Sequence, residues 1–282
     1  MDDTTSRPIL FDAHGTSDGA ELWAPTEYAR GPWDPRHCHG GPVSALLARA
    51  CERFDDGSDT TWQISRLTVE LVRPVPVGEP LALSAHLERP GRRVSLVAAS
   101  MVTVDGGVEV AKVRALRIRH NNFALSAHPL ADPEIDGPPG AGRHERVTWS
   151  TDANVIAFHS HGADHRIIDG SWNDPGPVKV WIRLAADLVA GETPSGVQRT
   201  AAAADFGNGV SSALDFNEYI YINPDLTIHL ARPPAGEWIG MSTHSVYGTP
   251  TESTGSGFAE SALHDERGRL GRSVQSLFID AR

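Results

Sequence analysis

Two short stretches of this chain decide its fold: LTVELVRP at residues 67–74 and LTIHLARP at residues 226–233. In both, apolar and polar residues alternate, which places every second side chain on one face of a β-strand. Both end in Arg-Pro, and the proline ends the regular strand because it cannot donate a ladder hydrogen bond. The two stretches indicate an internal repeat, in which one structural module occurs twice in the chain.

The residues that follow each copy extend the repeat with three further strand-like segments. These segments lie near residues 79–88, 93–104 and 108–119 after the first copy, and near 237–246, 253–264 and 269–280 after the second. Turn sequences at 105–107 and 265–268 separate the last two segments of each set and are typical of β-hairpins. Each half is therefore predicted to contain a long antiparallel meander.

A helix is predicted before each meander. Residues 43–53 form an apolar, alanine-rich run without proline, which favours a buried helix. In the second half, helix-like residues at 197–204 and 210–214 flank Gly207-Asn208-Gly209. One central helix could cover the apolar face of each sheet, and two such sheets could join edge to edge.

The repeat also predicts the domain organisation. Residues 120–144 are rich in Pro, Gly, Ala and His, which is typical of a linker. We therefore expect an N-terminal module at 1–119 and a C-terminal module at 145–282. A chain of 282 residues has room for two modules of ordinary size.

The composition predicts a soluble, cytoplasmic protein. The chain is 40% hydrophobic and 22% charged, and its two cysteines, Cys38 and Cys51, are too few for a disulfide scaffold. No run approaches the roughly 18 to 20 apolar residues of a membrane span, and MDDTT at residues 1–5 is unlike a signal peptide. The net charge of −11 argues against a nucleic acid partner.

Two glycine-containing segments could serve hydrolytic chemistry. Asp205 closely precedes Gly207-Asn208-Gly209, so a carboxylate lies beside backbone N–H groups that a ligand can approach closely. Gly40-Gly41 opens the first predicted helix and could bind an oxyanion or a phosphate, although a tight turn would also require glycine. A carboxylate that activates water and donors that bind an oxyanion are what acyl transfer to water needs.

Four segments together resemble the acyl-CoA thioesterase II family: HGGP at 39–42, AADFGNG at 203–209, NPDLTIHLARP at 223–233 and SVQ at 273–275. The resemblance covers roughly residues 10 to 280. It implies an α+β double hotdog fold, in which two antiparallel sheets, each wrapped around a central helix, are fused as a pseudo-dimer. It also implies the hydrolysis of acyl thioesters, with acyl-CoA giving free fatty acid and CoA, as part of lipid metabolism.

The family's site residues can be carried over one by one. An aspartate, a threonine and a glutamine hold and activate the attacking water in the family; the aspartate matches Asp205 and the glutamine Gln275. The threonine position falls on Asn223, which is a departure, although an asparagine offers both a donor and an acceptor. A backbone amide polarises the thioester carbonyl in such enzymes, so we expect His39, Gly40, Gly41 and Gly207 to bind the substrate and its oxyanion.

The repeat supplies an argument that does not depend on the family. Opposite the three polar residues, the first half has Ile64 for Asn223, Arg114 or Ala115 for Gln275, and the 37–38 region for Asp205. Packing alone would not require this asymmetry between the halves. The sequence therefore predicts one functional site, in the second half.

Other functions stay open at the level of sequence. Asp34 and His39 have the five-residue offset of hotdog hydratases and dehydratases, although PRHC at 35–38 lacks the Asn-Pro of that motif. A non-catalytic acyl-CoA-binding module is the third reading. Cys38 is flanked by histidines, but neighbouring side chains on an extended chain point apart.

Partners and cofactors can be predicted in outline. His159, His161 and His165 near Asp164 have spacing that permits a metal site, but a surface loop explains them more simply, so we expect no metal and no cofactor. The substrate is expected to be acyl-CoA or an acyl-carrier protein. Exposed outer sheet edges favour a homo-oligomer of the double module.

Overall fold

The computed structural model describes residues 7–123, 137–145, 155–249 and 254–282. The strands are β1 Ile9–Ser17, β2 Ala20–Pro25, β3 Trp62–Leu71, β4 Leu81–Arg89, β5 Val94–Thr103, β6 Glu109–Arg119, β7 Ala163–Asp169, β8 Val178–Leu184, β9 Asp187–Val189, β10 Tyr219–Ile222, β11 Asp225–Leu230, β12 Ile239–Val246, β13 Ser256–Asp265 and β14 Gly268–Ala281. The helices are α1 Gly40–Arg53, α2 Gly196–Ala204 and α3 Gly207–Val210, with short helical turns at Glu27–Ala29, Pro139–Ala141 and Phe158–Gly162.

Both long helices start with a side-chain cap and are buried. The Nδ1 of His39 accepts a hydrogen bond from the Gly41 N–H at the start of α1, and Ser195 with Gln198 forms a reciprocal capping box at the start of α2. Every residue of α1 from Gly41 to Cys51 is buried, as expected of a helix enclosed by a sheet. Fully buried leucines such as Leu46 each stabilise the fold by about 1.5–3 kcal/mol.

The strands form a single continuous sheet. Its order is β7-β8-β12-β13-β14-β11-β3-β6-β5-β4-β2-β1-β9, and β10 pairs with the far end of β14. The order on one side of the β11–β3 junction mirrors the order on the other. Neighbouring strands are antiparallel, except that β9 pairs with β1 in parallel and so links the C-terminal half to the edge strand of the N-terminal half.

The two copies of the repeat pair with each other at the centre of this sheet. Thr68 lies opposite Thr227, Leu67 opposite Ile228, and Val69 opposite Leu226. Because Thr68 and Thr227 occupy the same position in the repeat, a pseudo-twofold axis passes between them. The edge-to-edge junction expected from the sequence is therefore made by the very stretches that revealed the duplication.

A shared core fills the space between the sheet and the helices. In β5, the alternating residues Ser95, Val97, Ala99 and Met101 are buried, which is the two-residue period of a strand with one covered face. A smaller apolar cluster lies apart from this core. It contains Phe216, Tyr221, Ala259, Leu277 and Ile279, with Trp33, Leu214 and Tyr247 packed against it.

Some expectations need correction. The second helical segment expected at 210–214 ends at Val210, and the chain then turns through residues 211–214. Strands β1, β2, β7, β8, β9 and β10 were not expected from the sequence. The predicted linker at 120–144 lies largely outside the described residues, so the module boundaries at 1–119 and 145–282 stay a prediction. Among the helices that the structure describes, none combines the length and apolar character needed to span a membrane.

Candidate active site

The polar residues singled out in the sequence meet where the two central helices come together. The N-terminal end of α1 lies against the C-terminal end of α2, because the pseudo-twofold axis makes the two helices antiparallel. α2 ends at Ala204, and the C-cap residue Asp205 has helical backbone angles (φ −69°, ψ −17°) and an almost fully buried side chain. His39 and Gly40 of the N-terminal module therefore face Asp205 of the C-terminal module.

Two amide side chains donate to one oxygen of Asp205. The Nδ2 of Asn223 lies 2.8 Å from Oδ1, and the Nε2 of Gln275 lies 3.3 Å from the same oxygen. The Nε2 of Gln275 also donates to the main-chain carbonyl of Asp205 at 3.1 Å. The structure thus brings together all three residues that the sequence placed in one site, and both donors stabilise a negative charge on the carboxylate.

The side chain of Gln275 is buried and held by a backbone N–H group. It is 1% exposed, and its Oε1 accepts a hydrogen bond of 3.0 Å from the Asn208 N–H. A Cβ added to Gly207 would lie 3.0 Å from that same Oε1. Gly207 therefore lies behind the glutamine and leaves room for it, whereas the sequence had suggested that Gly207 contacts the substrate.

His39 lies on the other side of the carboxylate. Its Nδ1 is 2.7 Å from Oδ2 of Asp205, in addition to its contact with the Gly41 N–H. The ring packs against Phe158 and Phe206, with centroid distances of 5.1 and 4.7 Å. This contact joins residues 166 positions apart in the sequence (39 and 205), and no local pattern could have revealed it.

The two glycines that follow His39 have different surroundings. A Cβ on Gly40 would lie 2.8 Å from both carboxylate oxygens of Asp205 and from Cδ1 of Leu71, so only glycine fits there. Gly41 lies deeper, where a Cβ would meet the Ala202 carbonyl at 2.6 Å, and its N–H is already bound to His39. Of the two, Gly40 is the residue whose backbone borders the site.

A cavity of about 340 Å³ opens beside these residues. Most of its wall is apolar, and its polar lining includes Asp205, Asn223 and His39. The remaining lining residues lie mostly in three segments, which the sequence did not single out as a group. These are residues 31–38 with Trp33 and His37, residues 71–75 with Leu71 and Val75, and residues 208–224 with Asn208 and Tyr221. Gly40, Val43 and Phe278 also line the cavity.

Asp34 and His39, the alternative acid–base pair of the hydratase reading, both line the cavity but contact different partners. The carboxylate of Asp34 accepts hydrogen bonds from the Arg36 side chain, and this guanidinium holds the pKa of Asp34 well below its usual range. His39 contacts Asp205 instead. Asp34 is thus held by Arg36 and His39 by Asp205, and the Asp34–His39 pair stays a prediction.

The other candidate groups are also occupied elsewhere. Burial lowers the pKa of His159 to about 3 and that of His165 well below its usual value, so both stay neutral. Asp164 is bound to Arg183 at 2.6 Å. In the part of the chain that the structure describes, no three His, Cys, Asp or Glu side chains converge as metal ligands. Burial also raises the pKa of the Cys38 thiol, which disfavours a thiolate.

The pseudo-twofold axis identifies the matching place in the N-terminal module. In the mirrored strand order, β5 and β6 of the N-terminal module correspond to β13 and β14. Ala115 of β6 lies opposite Val97 of β5 and Leu67 of β3, and Gln275 of β14 lies opposite Ala259 of β13. Ala115, and not Arg114, is therefore the counterpart of Gln275. Arg49 lies ten residues after His39, the N-cap of α1, and Asp205 lies ten residues after Ser195, the N-cap of α2. Arg49 is therefore the counterpart of Asp205, and the counterpart expected at residues 37–38 is wrong. Arg49 is buried and bound to Glu192 and Glu21, each at 2.8 Å.

Comparisons with known proteins agree with this architecture. Residues 29–118 match the acyl-CoA thioesterase N-terminal domain, and residues 127–279 match the acyl-CoA thioesterase C-terminal domain. A hot dog fold protein of unknown function from Alicyclobacillus acidocaldarius is 17% identical, with 95% of this chain and 96% of that chain covered and a TM-score of 0.70. An acyl-CoA thioesterase II from Mycobacterium marinum is 14% identical, with 96% of each chain covered and a TM-score of 0.63.

At these identities the similarity to solved structures shows the fold, and the double hotdog expected from the sequence is confirmed. A comparison with curated protein sequences gives no match.

Proposed function

Since the chain belongs to the acyl-CoA thioesterase family, and is thus a thioester hydrolase, we propose that it converts acyl-CoA to a free carboxylic acid and CoA at the cavity between α1 and α2. The observation that carries the proposal is the position of Asp205. Its carboxylate borders the cavity, receives hydrogen bonds from Asn223 and Gln275, and faces the first residues of α1. A charged, oriented carboxylate beside a helix N-terminus is suited to water attack on a carbonyl.

In this proposal, Asp205 supplies the negative charge that draws the proton from the attacking water. Asn223 and Gln275 fix the plane of the carboxylate, because both donate to Oδ1. The other oxygen, Oδ2, faces His39. Asn223 thus acts as a donor to the carboxylate, where the family's threonine would offer a hydroxyl.

The carbonyl oxygen of the thioester is placed at the start of α1. The first N–H groups of a helix have no partner within the helix and carry partial positive charge. Since Gly40 lines the cavity and Gly41 lies deeper, the Gly40 N–H is the donor we assign to the developing oxyanion. Close approach of the backbone at Gly40 supports this assignment, as a side chain there would displace the carboxylate.

The rest of the cavity suits the two ends of acyl-CoA. Val43, Leu71 and Val75 give an apolar wall for the acyl chain. Arg73 is exposed at the rim, and its guanidinium is bound to the main-chain carbonyl of Glu109, so its positive charge is not neutralised by that contact. We assign Arg73 to a phosphate of the CoA moiety.

A thiol-release assay tests the proposal. Purified protein is given acyl-CoA substrates of increasing chain length, and free thiol is measured for wild type, for Asp205→Asn and for Asp12→Asn, an exposed control on β1. We expect thiol release from wild type and from the control, and a loss of at least about 100-fold in kcat for Asp205→Asn, in the range of removing a general base. Thiol release at the wild-type rate by Asp205→Asn would contradict the role of the carboxylate.

A further inference from the structure

We infer that His39 is a further catalytic residue: in the hydrolysis proposed above, on which this inference rests, its Nε2 takes the proton of the attacking water and returns it to the sulfur of the leaving thiol. The contact between Nδ1 of His39 and Oδ2 of Asp205, at 2.7 Å, carries the argument. Asp205 then acts as the anionic partner of the imidazole, and the two residues form one base.

The short distance requires a hydrogen between the two atoms. A carboxylate oxygen and an unprotonated ring nitrogen are both acceptors, and at 2.7 Å their lone pairs would repel each other. The hydrogen therefore sits either on Nδ1, which donates to an ionised carboxylate, or on Oδ2, which donates to the ring. The Gly41 N–H, 3.1 Å from Nδ1, would favour the second arrangement.

The surroundings of Asp205 favour the first arrangement. Asn223 and Gln275 both donate to its other oxygen, which stabilises the ionised carboxylate. The N-terminus of α1 adds positive partial charge beside it. A hydrogen bond between Nδ1–H and a carboxylate is also about twice as strong as the neutral capping bond from Gly41 that it replaces. The hydrogen therefore belongs on Nδ1.

A neutral imidazole with its hydrogen on Nδ1 has its lone pair on Nε2. The position of the ring decides where that lone pair points. One edge of the ring faces Asp205, and Phe158 and Phe206 pack around it, yet the side chain keeps 11% of its surface exposed and lines the cavity. The edge that carries Nε2 is the part of the ring left to face the cavity.

The chemistry then balances in two steps. As the water oxygen forms a bond to the carbonyl carbon, its proton moves to Nε2 and the carbonyl electron pair becomes the oxyanion held at Gly40. When the oxyanion collapses, the carbon–sulfur bond breaks, its electron pair goes to sulfur, and the proton on Nε2 moves to that sulfur. Asp205 stays ionised throughout and stabilises the imidazolium between the two steps.

His39→Asn tests the inference with little disturbance of the fold. Asparagine is a favoured N-cap residue, so its Oδ1 can accept from the Gly41 N–H while it offers no base. We expect kcat to fall about 10²- to 10⁴-fold, the usual contribution of a positioned acid–base group. His244→Asn, an exposed histidine on β12 that contacts Glu260, is the matched control and should retain wild-type turnover.

A second variant keeps the test decisive if the first is unstable. His39→Gly leaves a space at the ring, and added imidazole should restore at least about tenfold of the lost activity if a base is what is missing. A large loss of activity that imidazole does not restore would assign His39 a structural role and overturn the inference. Wild-type turnover in His39→Asn would overturn it as well, and would leave the thioesterase proposal standing; thiol release by no form of the protein, wild type included, would overturn both.

Discussion

Removing the Asn223 amide gives the sharpest measure of how the carboxylate is held. In Asn223→Ala, Oδ1 of Asp205 loses its hydrogen bond of 2.8 Å and keeps the longer one of 3.3 Å from Gln275. A hydrogen bond to a charged group contributes about 1.5–3 kcal/mol. At about 1.36 kcal/mol for each factor of ten in rate, this corresponds to a loss of about 10- to 150-fold in kcat.

The assay separates this effect from a loss of substrate binding. Thiol release is measured over a range of acyl-CoA concentrations, and we expect kcat and kcat/KM to fall together, because the carboxylate acts in the transition state. Thermal unfolding should change little, since Asn223 is only half-buried. Asn122→Ala, at an exposed position remote from the cavity, is the control. A kcat within threefold of wild type would refute the idea that the asparagine orients Asp205.

Three further predictions concern Gly40, Asp265 and Cys38. Gly40→Ala should reduce kcat at least about 100-fold while the protein stays folded by circular dichroism, because the new Cβ would lie 2.8 Å from both oxygens of Asp205. Burial alone would raise the pKa of Asp265, but hydrogen bonds from Arg232 and from backbone N–H groups outweigh the burial, so the pKa of Asp265 is lowered. The ionised Asp265 therefore stabilises the fold above about pH 4, and this stabilisation is lost as the pH falls through the pKa of Asp265 in the folded state. Urea unfolding should accordingly show Asp265→Asn to be about 3–5 kcal/mol less stable at pH 7, with a smaller difference at pH 3. Iodoacetamide should modify Cys38 slowly until the protein unfolds, because burial raises the pKa of the thiol.

The strands that were predicted correctly are those with a strong local signal. The segments expected at 93–104 and 269–280 correspond to β5 and β14, in which every second residue is buried along nearly the whole strand. β1 has no such signal, since only its first residues are covered and the rest is exposed. Its pairing with β9, far away in the sequence, was equally beyond reach, because only the closed fold brings the two strands together.

The site was predicted as a set of residues but not as a geometry. Asp205, Asn223 and Gln275 could be found because the repeat and the family resemblance each place them in the second half. The contact between His39 and Asp205 depends on how two helices from different modules lie against each other, and the sequence contains no signal for that. The same holds for Trp33, which reaches the cavity by packing on Phe216 and Tyr221 of the other module.

The duplication also explains why one chain has one such site. In a dimer of identical modules the axis would produce the site twice, whereas in a fused chain each copy can change separately. Opposite Asp205 the chain has Arg49, whose buried side chain is bound to the partly exposed Glu192.

Replacing Arg49 by a carboxylate would still not recreate the site. The matching strand positions are Ile64 and Ala115, whose side chains have no donors, so a second carboxylate would lie there without the hydrogen bonds that Asp205 receives from Asn223 and Gln275. The Asp205 side of the site therefore depends on three polar side chains present together in the second half, and the first half has an ion pair and apolar packing in the matching places.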